Sequence, residues 1–276
     1  MHNQSIIHLK PVSPGQRFTR LVSKHRLLKL KRLKQECVKI QKHSGRNHSG
    51  QITVRHRGGG HSKHYRMLDF SRKNTFGIVE GLEHDPYRNA WIQRTFNPDK
   101  HSHNYILGVQ DLKRGNIVRN FKKAKLKSGH HHLLRSIPLG YVVHNISTSA
   151  NTGGQYLRAA GTYGQVLQKT KTHARIKLRS GEHRLFPLKA SASLGAVSCE
   201  DAKLTKYGKA GRKRWIGFRP SVRGVAINPV DHPHGGGEGK TSGGRPSVTP
   251  WGKPTKGQPT VKNYNYLRVI HRKRNK

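Results

Sequence analysis

Acidic residues are scarce: 12 Asp and Glu stand against 55 Lys and Arg, which gives 276 residues a formal net charge of +43. A compact body carrying that charge alone would repel itself, so a polyanionic partner is expected. The basic residues run from Lys10 to Lys276 instead of forming one tail, which favours an extensive nucleic-acid contact over a membrane face. Cysteine is nearly absent as well. Cys37 and Cys199 are far apart and in no CxxC pair, so nothing supports a disulfide scaffold or a zinc ribbon, and a reducing compartment is expected. The lack of any run of about 18 apolar residues excludes a transmembrane helix. With 32% hydrophobic residues the chain cannot wrap one core along its whole length, so small domains with extensions are expected. Met1 to Arg20 has no apolar signal core and is broken by Pro11 and Pro14, so no cleaved presequence is expected.

What is present divides the chain. Up to about Arg57 it reads as an extended basic arm, with Lys24–Lys34, whose leucines fall at 27, 28, 30 and 33, as a candidate short helix. From His61 to Val197, short apolar or alternating runs between turn residues read as strands: 65–70, 76–82, 90–96, 105–109, 141–146, 155–159, 163–167, 174–178 and 183–186. Ser180-Gly181 suits the hairpin turn joining the last two. Many short strands and few helical stretches predict a mainly β protein built from two small antiparallel barrels, with the break near 126–132. Residues 201–211 read as a short helix ended by glycine, and beyond them the chain is rich in Gly, Pro, Lys and Arg. There Trp215, Phe218 and Trp251 alternate with Arg212, Lys213, Arg214, Arg219, Arg223 and Lys253, and the rings either stack on bases or pack against the protein.

The segment Gly224–Lys240 fits neither helix, strand nor ordinary linker. It holds Gly235, Gly236 and Gly237 in a row, His232 and His234 around a proline, and few apolar side chains, so it is expected to be ordered only by what it binds. A P-loop is excluded by spacing, because the position that requires glycine holds His234, and by context, because Thr241–Pro246 cannot start a helix. Asp231, His232, His234 and Glu238 offer metal-ligand atoms, as do His130, His131 and His132, but neither spacing is diagnostic of zinc. A histidine base without a pocket, nucleophile or oxyanion hole does not make an autonomous enzyme. Glycine amides close to phosphates explain the segment better, with Asp231 and Glu238 set against amino groups or hydrated magnesium. A second triplet, Gly58, Gly59 and Gly60, lies among Arg55, Arg57 and His61, so the device occurs twice.

The run Asn228-Pro-Val-Asp-His-Pro-His-Gly-Gly-Gly-Glu-Gly-Lys240, with Pro250-Trp-Gly-Lys-Pro-Thr-Lys-Gly257, resembles the large-subunit ribosomal protein L2 (uL2) family. The likeness continues through Lys10–Gly15, Arg57–His61, Asp85-Pro-Tyr-Arg88, Pro138–Gly140 and Ala160–Tyr163, and is looser over 112–132 and beyond 258. It implies an OB-like barrel over 61–127 and an SH3-like barrel over 128–200, between long basic irregular extensions, 1–60 and 201–276. It further implies binding to large-subunit rRNA near the peptidyl-transferase region. Roles in subunit association, tRNA binding and translation follow, with other ribosomal proteins as neighbours and small-subunit rRNA at an intersubunit bridge. No cofactor beyond rRNA-associated magnesium, no homo-oligomer and no membrane partner are expected. Arg88 and Arg158 match family positions implicated in rRNA binding, and His232 matches a family histidine once linked to peptide-bond formation. We read His232 as architectural. The other candidate RNA contacts are Asn228, Lys240, Arg245 and Lys256. The tail Gly239–Val248 is similar to mitochondrial and related bacterial versions, which implies the mitochondrial matrix, with a bacterial cytoplasm as the alternative.

Overall fold

The computed structural model describes residues 5–28, 31–72, 76–120, 125–150, 152–239, 241–258 and 267–270. The N-terminal arm is not wholly irregular. Strands β1 (Ile6–His8) and β2 (Arg20–Val22) pair antiparallel, and β3 (Cys37–Lys39) pairs antiparallel with β4 (His64–Arg66). The candidate helix over Lys24–Lys34 is not formed by its described residues. Leu28 donates its backbone N–H to the Leu82 carbonyl at 2.7 Å, and Leu27 forms a parallel bridge to Leu82. The run has no acidic residue to pair with its cations at helical spacing, whereas a neighbouring strand satisfies the backbone directly.

The next sheet is formed by β5 (Gly77–Glu83), β6 (Ile92–Asn97), β7 (Ser102–Leu107) and β8 (Ile117–Val118), in the antiparallel order β7-β6-β5-β8. β5 alternates buried and half-buried residues along its length, as a strand with one covered face should. A bulge between Val79 and Gly81 bends it, and at Gly81 a Cβ would run into the Leu28 side chain. The apolar core here is small: Val79, Ile106 and Val118, with Leu112 against them. A buried polar network completes it. Arg94 pairs with Glu83 at 2.7 Å, the Tyr105 hydroxyl donates to Glu83 at 2.8 Å and accepts from the Leu33 N–H at 3.0 Å, and Arg94 donates to the Lys31 carbonyl at 2.5 Å. These bonds tie the arm to the barrel. Tyr105→Phe removes one donor and one acceptor from this dry site and should cost about 2 kcal/mol, read as a lower urea midpoint of the full chain. An unchanged midpoint would show the network to be dispensable.

A larger sheet follows: β9 (His131–Leu133), β10 (Val142–His144), β11 (Gly164–Lys169), β12 (His173–Leu178), β13 (His183–Pro187), β14 (Ser191–Leu194) and β15 (Arg268–Ile270). Its order is β15-β13-β12-β11-β10-β14-β9, and it curls around Leu134, Ile137, Val143, Ile146, Val166, Ile176, Phe186 and Leu194. The hairpin turn at Ser180-Gly181 is present, with Gly181 at φ 83° and the Leu178 N–H donating to the Glu182 carbonyl at 2.8 Å. The expected strand at 155–159 is reduced to a single bridge between Tyr156 and Ile146. β9, β14 and β15 were not foreseen. β14 is buried at every position, so it lacks the alternation that marks a half-covered strand. The architecture is mainly β, with two successive curled sheets that fit the OB-like then SH3-like expectation.

The helix expected over 201–211 is two pieces. Glu200–Leu204 is a 3-10 turn, and α1 (Ala210–Trp215) begins where glycine was expected to end a helix. The chain divides into two compact units. One contains both sheets, and the described residues of Lys42–His61 and Gly211–Asn265 make up the other. The two glycine triplets, in extensions far apart in sequence, therefore belong to one unit.

Candidate nucleic-acid interface

Within this second unit the first glycine triplet lies along the chain that follows α1. The Gly58 N–H donates to the Gly217 carbonyl at 2.9 Å, the His61 N–H to the Trp215 carbonyl at 2.9 Å and the Arg219 N–H to the His56 carbonyl at 3.1 Å. Gly60, at φ 58°, lies so near this strand that a Cβ would come within 2.7 Å of the Trp215 carbonyl oxygen. Glycine is needed here for close approach of protein backbone. The pairing carries cations onto rings. Arg57 lies 5.3 Å and Lys213 5.8 Å from the centre of Phe218, Arg55 lies 5.6 Å from Trp251, and His61 lies 5.5 Å from Trp215. Trp251 is 75% exposed at the tip of a turn closed by the Gly252 N–H to the Thr249 carbonyl, so this ring does not plug a core. Arg214, Arg219, Arg223, Arg245, Lys253 and Lys256 are exposed as well, and Arg212 is half-buried.

The triplet Gly235–Gly237 is ordered by its own hydrogen bonds, contrary to the expectation that only a partner would order it. Asn228 heads a turn, its carbonyl accepting from the N–H groups of Asp231 and His232. The Gly235 N–H donates to the His232 carbonyl at 2.9 Å and the Gly236 N–H to the Ile227 carbonyl at 3.1 Å. Gly236 and Gly237 hold φ of 97° and 82°, where a side chain would be strained. The amides of Gly58, Gly235 and Gly236, expected to face phosphates, are thus used inside the protein, and the cationic side chains face outward.

The two histidines are built into the same loop. Their rings stack at 5.1 Å and 26°, and His232 lies over Gly224, where a Cβ would come within 2.6 Å of the ring. His232 Nδ1 accepts from the His234 N–H at 3.0 Å. His234 Nε2 accepts from the Val248 N–H at 3.0 Å while Nδ1 faces the Gly243 carbonyl at 3.3 Å, an arrangement met by a neutral ring protonated on Nδ1. Among the described residues no group of three or more His, Cys, Asp or Glu is placed to hold a metal ion. Lys240 lies outside the described residues.

Arg88 and Arg158 belong to the other unit, and they meet on one ring. Their guanidinium carbons lie 5.7 and 4.6 Å from the centre of Phe70. Phe70 is held by its backbone: its carbonyl accepts from the Gly154 N–H at 3.0 Å and from the Asn145 side chain at 3.2 Å. The fully buried Asp85 fixes Arg88 through Nε at 2.6 Å. Phe70 and Asp85 had no assigned role in the sequence, although Phe70 ends an expected strand and Asp85 stands in a quoted motif, because nothing in the spacing shows that residues 70, 88 and 158 converge.

A nearly complete chain of motifs on this architecture can be compared with known proteins. Residues 33–120 match the family described as Ribosomal Proteins L2, RNA binding N-terminal domain, and residues 127–252 match Ribosomal Proteins L2, C-terminal domain. The chain belongs to the ribosomal protein L2 family. It is 47% identical over 269 residues to the large ribosomal subunit protein uL2 of Rickettsia typhi, covering 97% of this chain and 98% of that one. The proteins of the same name from Rickettsia massiliae and Rickettsia prowazekii are each 48% identical over the same shares. Family membership agrees with the expectation that the chain is not an enzyme. Its matched domains divide near residue 120, where the two sheets do. No helix among the described residues is long and apolar enough to cross a membrane.

Proposed function

We propose that the chain is a structural constituent of the large ribosomal subunit and binds large-subunit rRNA through exposed cations set against aromatic rings. The observation that carries this reading is the group formed by Arg57 and Lys213 on Phe218 and Arg55 on Trp251, exposed in a chain of net charge +43. A cation held on a ring loses less freedom when it meets a phosphate, and an exposed ring offers its other face to a base. On Phe70, exposed Arg158 and half-buried Arg88 supply a second pairing of cations with a ring. The loops around His232 and His234 brace this surface. Position near the peptidyl-transferase region, support of subunit association and tRNA binding, other ribosomal proteins as neighbours and an intersubunit bridge rest on the family resemblance. So does the four-part division at 60, 127 and 200.

In a sucrose gradient the full chain should co-migrate with large subunits, and a chain found only at the top of the gradient would refute this reading. Fractionation decides the compartment. The resemblance of the tail favours a mitochondrial matrix, while the organisms of the compared relatives favour a bacterial cytoplasm.

A further inference from the structure

A cavity of about 620 Å³ lies where the two sheets of the first unit succeed one another, in one of the two stretches where the likeness to the family is looser. Its lining includes Asp111, Leu112, Asn116, Arg119, Lys125 and Lys127. Three cations against one carboxylate make it an anion-accepting space, and its volume is in the range of small-ligand sites. The wall is preformed. His130 is 6% exposed and faces the Lys125 carbonyl through Nδ1 at 2.7 Å and the Ile117 carbonyl through Nε2 at 3.1 Å. The ring thereby links the chain at 117 to the chain at 125.

The lining has the parts that a nucleotide needs. The Arg119 guanidinium lies 5.1 Å from the centre of Phe76, and its side chain is exposed, so its plane has a second face for a base. The Asn116 Oδ1 accepts from the Lys113 N–H at 2.8 Å, which directs its NH2 away from that bond as a donor. Asp111 accepts from an amino group, Lys125 and Lys127 neutralise phosphate, and Leu112 supplies an apolar contact.

We infer that this cavity receives one unpaired adenine or cytosine of the bound RNA, whose exocyclic amino group meets Asp111. The inference rests on the proposed rRNA binding and deepens it. A protein side chain as occupant is the competing chemistry, and three cations would then select an acidic one.

The test uses large subunits assembled with the full chain. Dimethyl sulfate reactivity is compared along the rRNA for the unaltered chain, for Arg119→Ala and for the double change Lys125→Ala with Lys127→Ala. In parallel, Ile117→Cys carrying a photoactivatable thiol reagent is crosslinked and its product identified. We expect one adenine or cytosine, or two adjacent ones, to become about tenfold more reactive in both altered particles, and the Ile117→Cys crosslink to fall on RNA within a few nucleotides of it. Crosslinking to protein, or unchanged reactivity in particles that contain the altered chains, overturns the cavity's assignment and leaves rRNA binding intact. A chain that never enters large subunits overturns both.

Discussion

Raising salt from 50 to 200 mM should weaken binding of the full chain to its large-subunit rRNA by roughly a hundred- to five-hundred-fold, if about five phosphates are neutralised. Each neutralised phosphate releases condensed counterions, and the logarithm of the affinity falls with the logarithm of salt by about 0.7 to 0.9 per contact. Five is a modest number for this surface, since Arg55, Arg57, Arg158, Arg214, Arg219, Arg223 and Arg245 are all exposed. Acid partners are too few to occupy them: among the described residues the ion pairs draw on Glu80, Glu83, Asp85, Glu182 and Glu200. Titrations at three salt concentrations give the slope directly. Arg158→Gln should reduce it by about one contact and weaken binding to every RNA alike, because a phosphate contact positions without reading sequence. A slope near zero would mean that burial or base contacts hold the complex, and the electrostatic account would fail.

The fold was legible wherever one face of a strand is covered. β5, β12 and β13 lie at or within one residue of the expected runs, because alternation and a glycine turn are local signals. β14 was invisible because all four of its residues are buried, and β9 because histidines occupy core positions that sequence reading assigns to apolar side chains. β15 pairs with β13 across more than 80 positions, and its register is set by tertiary context: Arg184 lies opposite Arg268, and Glu182 faces both guanidinium groups at 3.6 and 3.3 Å. No pattern within three residues could announce it.

The interface was legible in residue type and illegible in geometry. Two glycine triplets with basic neighbours were the right segments to single out, yet the reason glycine stands there differs from the expected one. At Gly60 and Gly235 the backbone that approaches closely is the protein's own, from Trp215 and from Asn228. The sequence also left open whether Trp215, Phe218 and Trp251 stack or plug. Their exposures of 43, 38 and 75%, together with the cations lying over Phe218 and Trp251, favour a surface role for all three. Convergence of Arg88 and Arg158 on Phe70 depends on two loops meeting, which spacing cannot encode.

Lowering the pH from 7.5 to 5 should remove about 2 kcal/mol of folding stability through His144 alone, and about 3 kcal/mol by pH 4. His144 is 1% exposed and donates Nδ1–H to the Gly195 carbonyl at 2.8 Å. Burial, with a smaller push from the charge of buried Arg72, lowers it from 6.5 to about 4 against the opposing pull of that hydrogen bond. Since the unfolded chain takes up a proton near pH 6.5 and the folded chain only near 4, the unfolded state binds more protons between those values. The stabilisation is therefore complete above pH 6.5 and is lost as pH falls through that window. His131 acts in the same direction: it is fully buried, bonded through Nδ1 to Ser193 Oγ at 2.9 Å, and burial followed by the nearby Arg72 and His144 holds it well below its ordinary value. Arg72 is itself pushed down to about 10 by burial, and its guanidinium donates to the Gly129 carbonyl at 2.7 Å, so it remains charged throughout and keeps both rings neutral. Urea midpoints of the full chain at pH 7.5 and 5 measure the sum. The His144→Asn chain, whose side-chain amide can replace Nδ1–H as donor, isolates this residue, because the many exposed histidines titrate alike in both chains. It should lose about 2 kcal/mol less than the unaltered chain over that interval. Equal losses would show that His144 is already protonated in the folded state or reached by water, so that its site would not be dry.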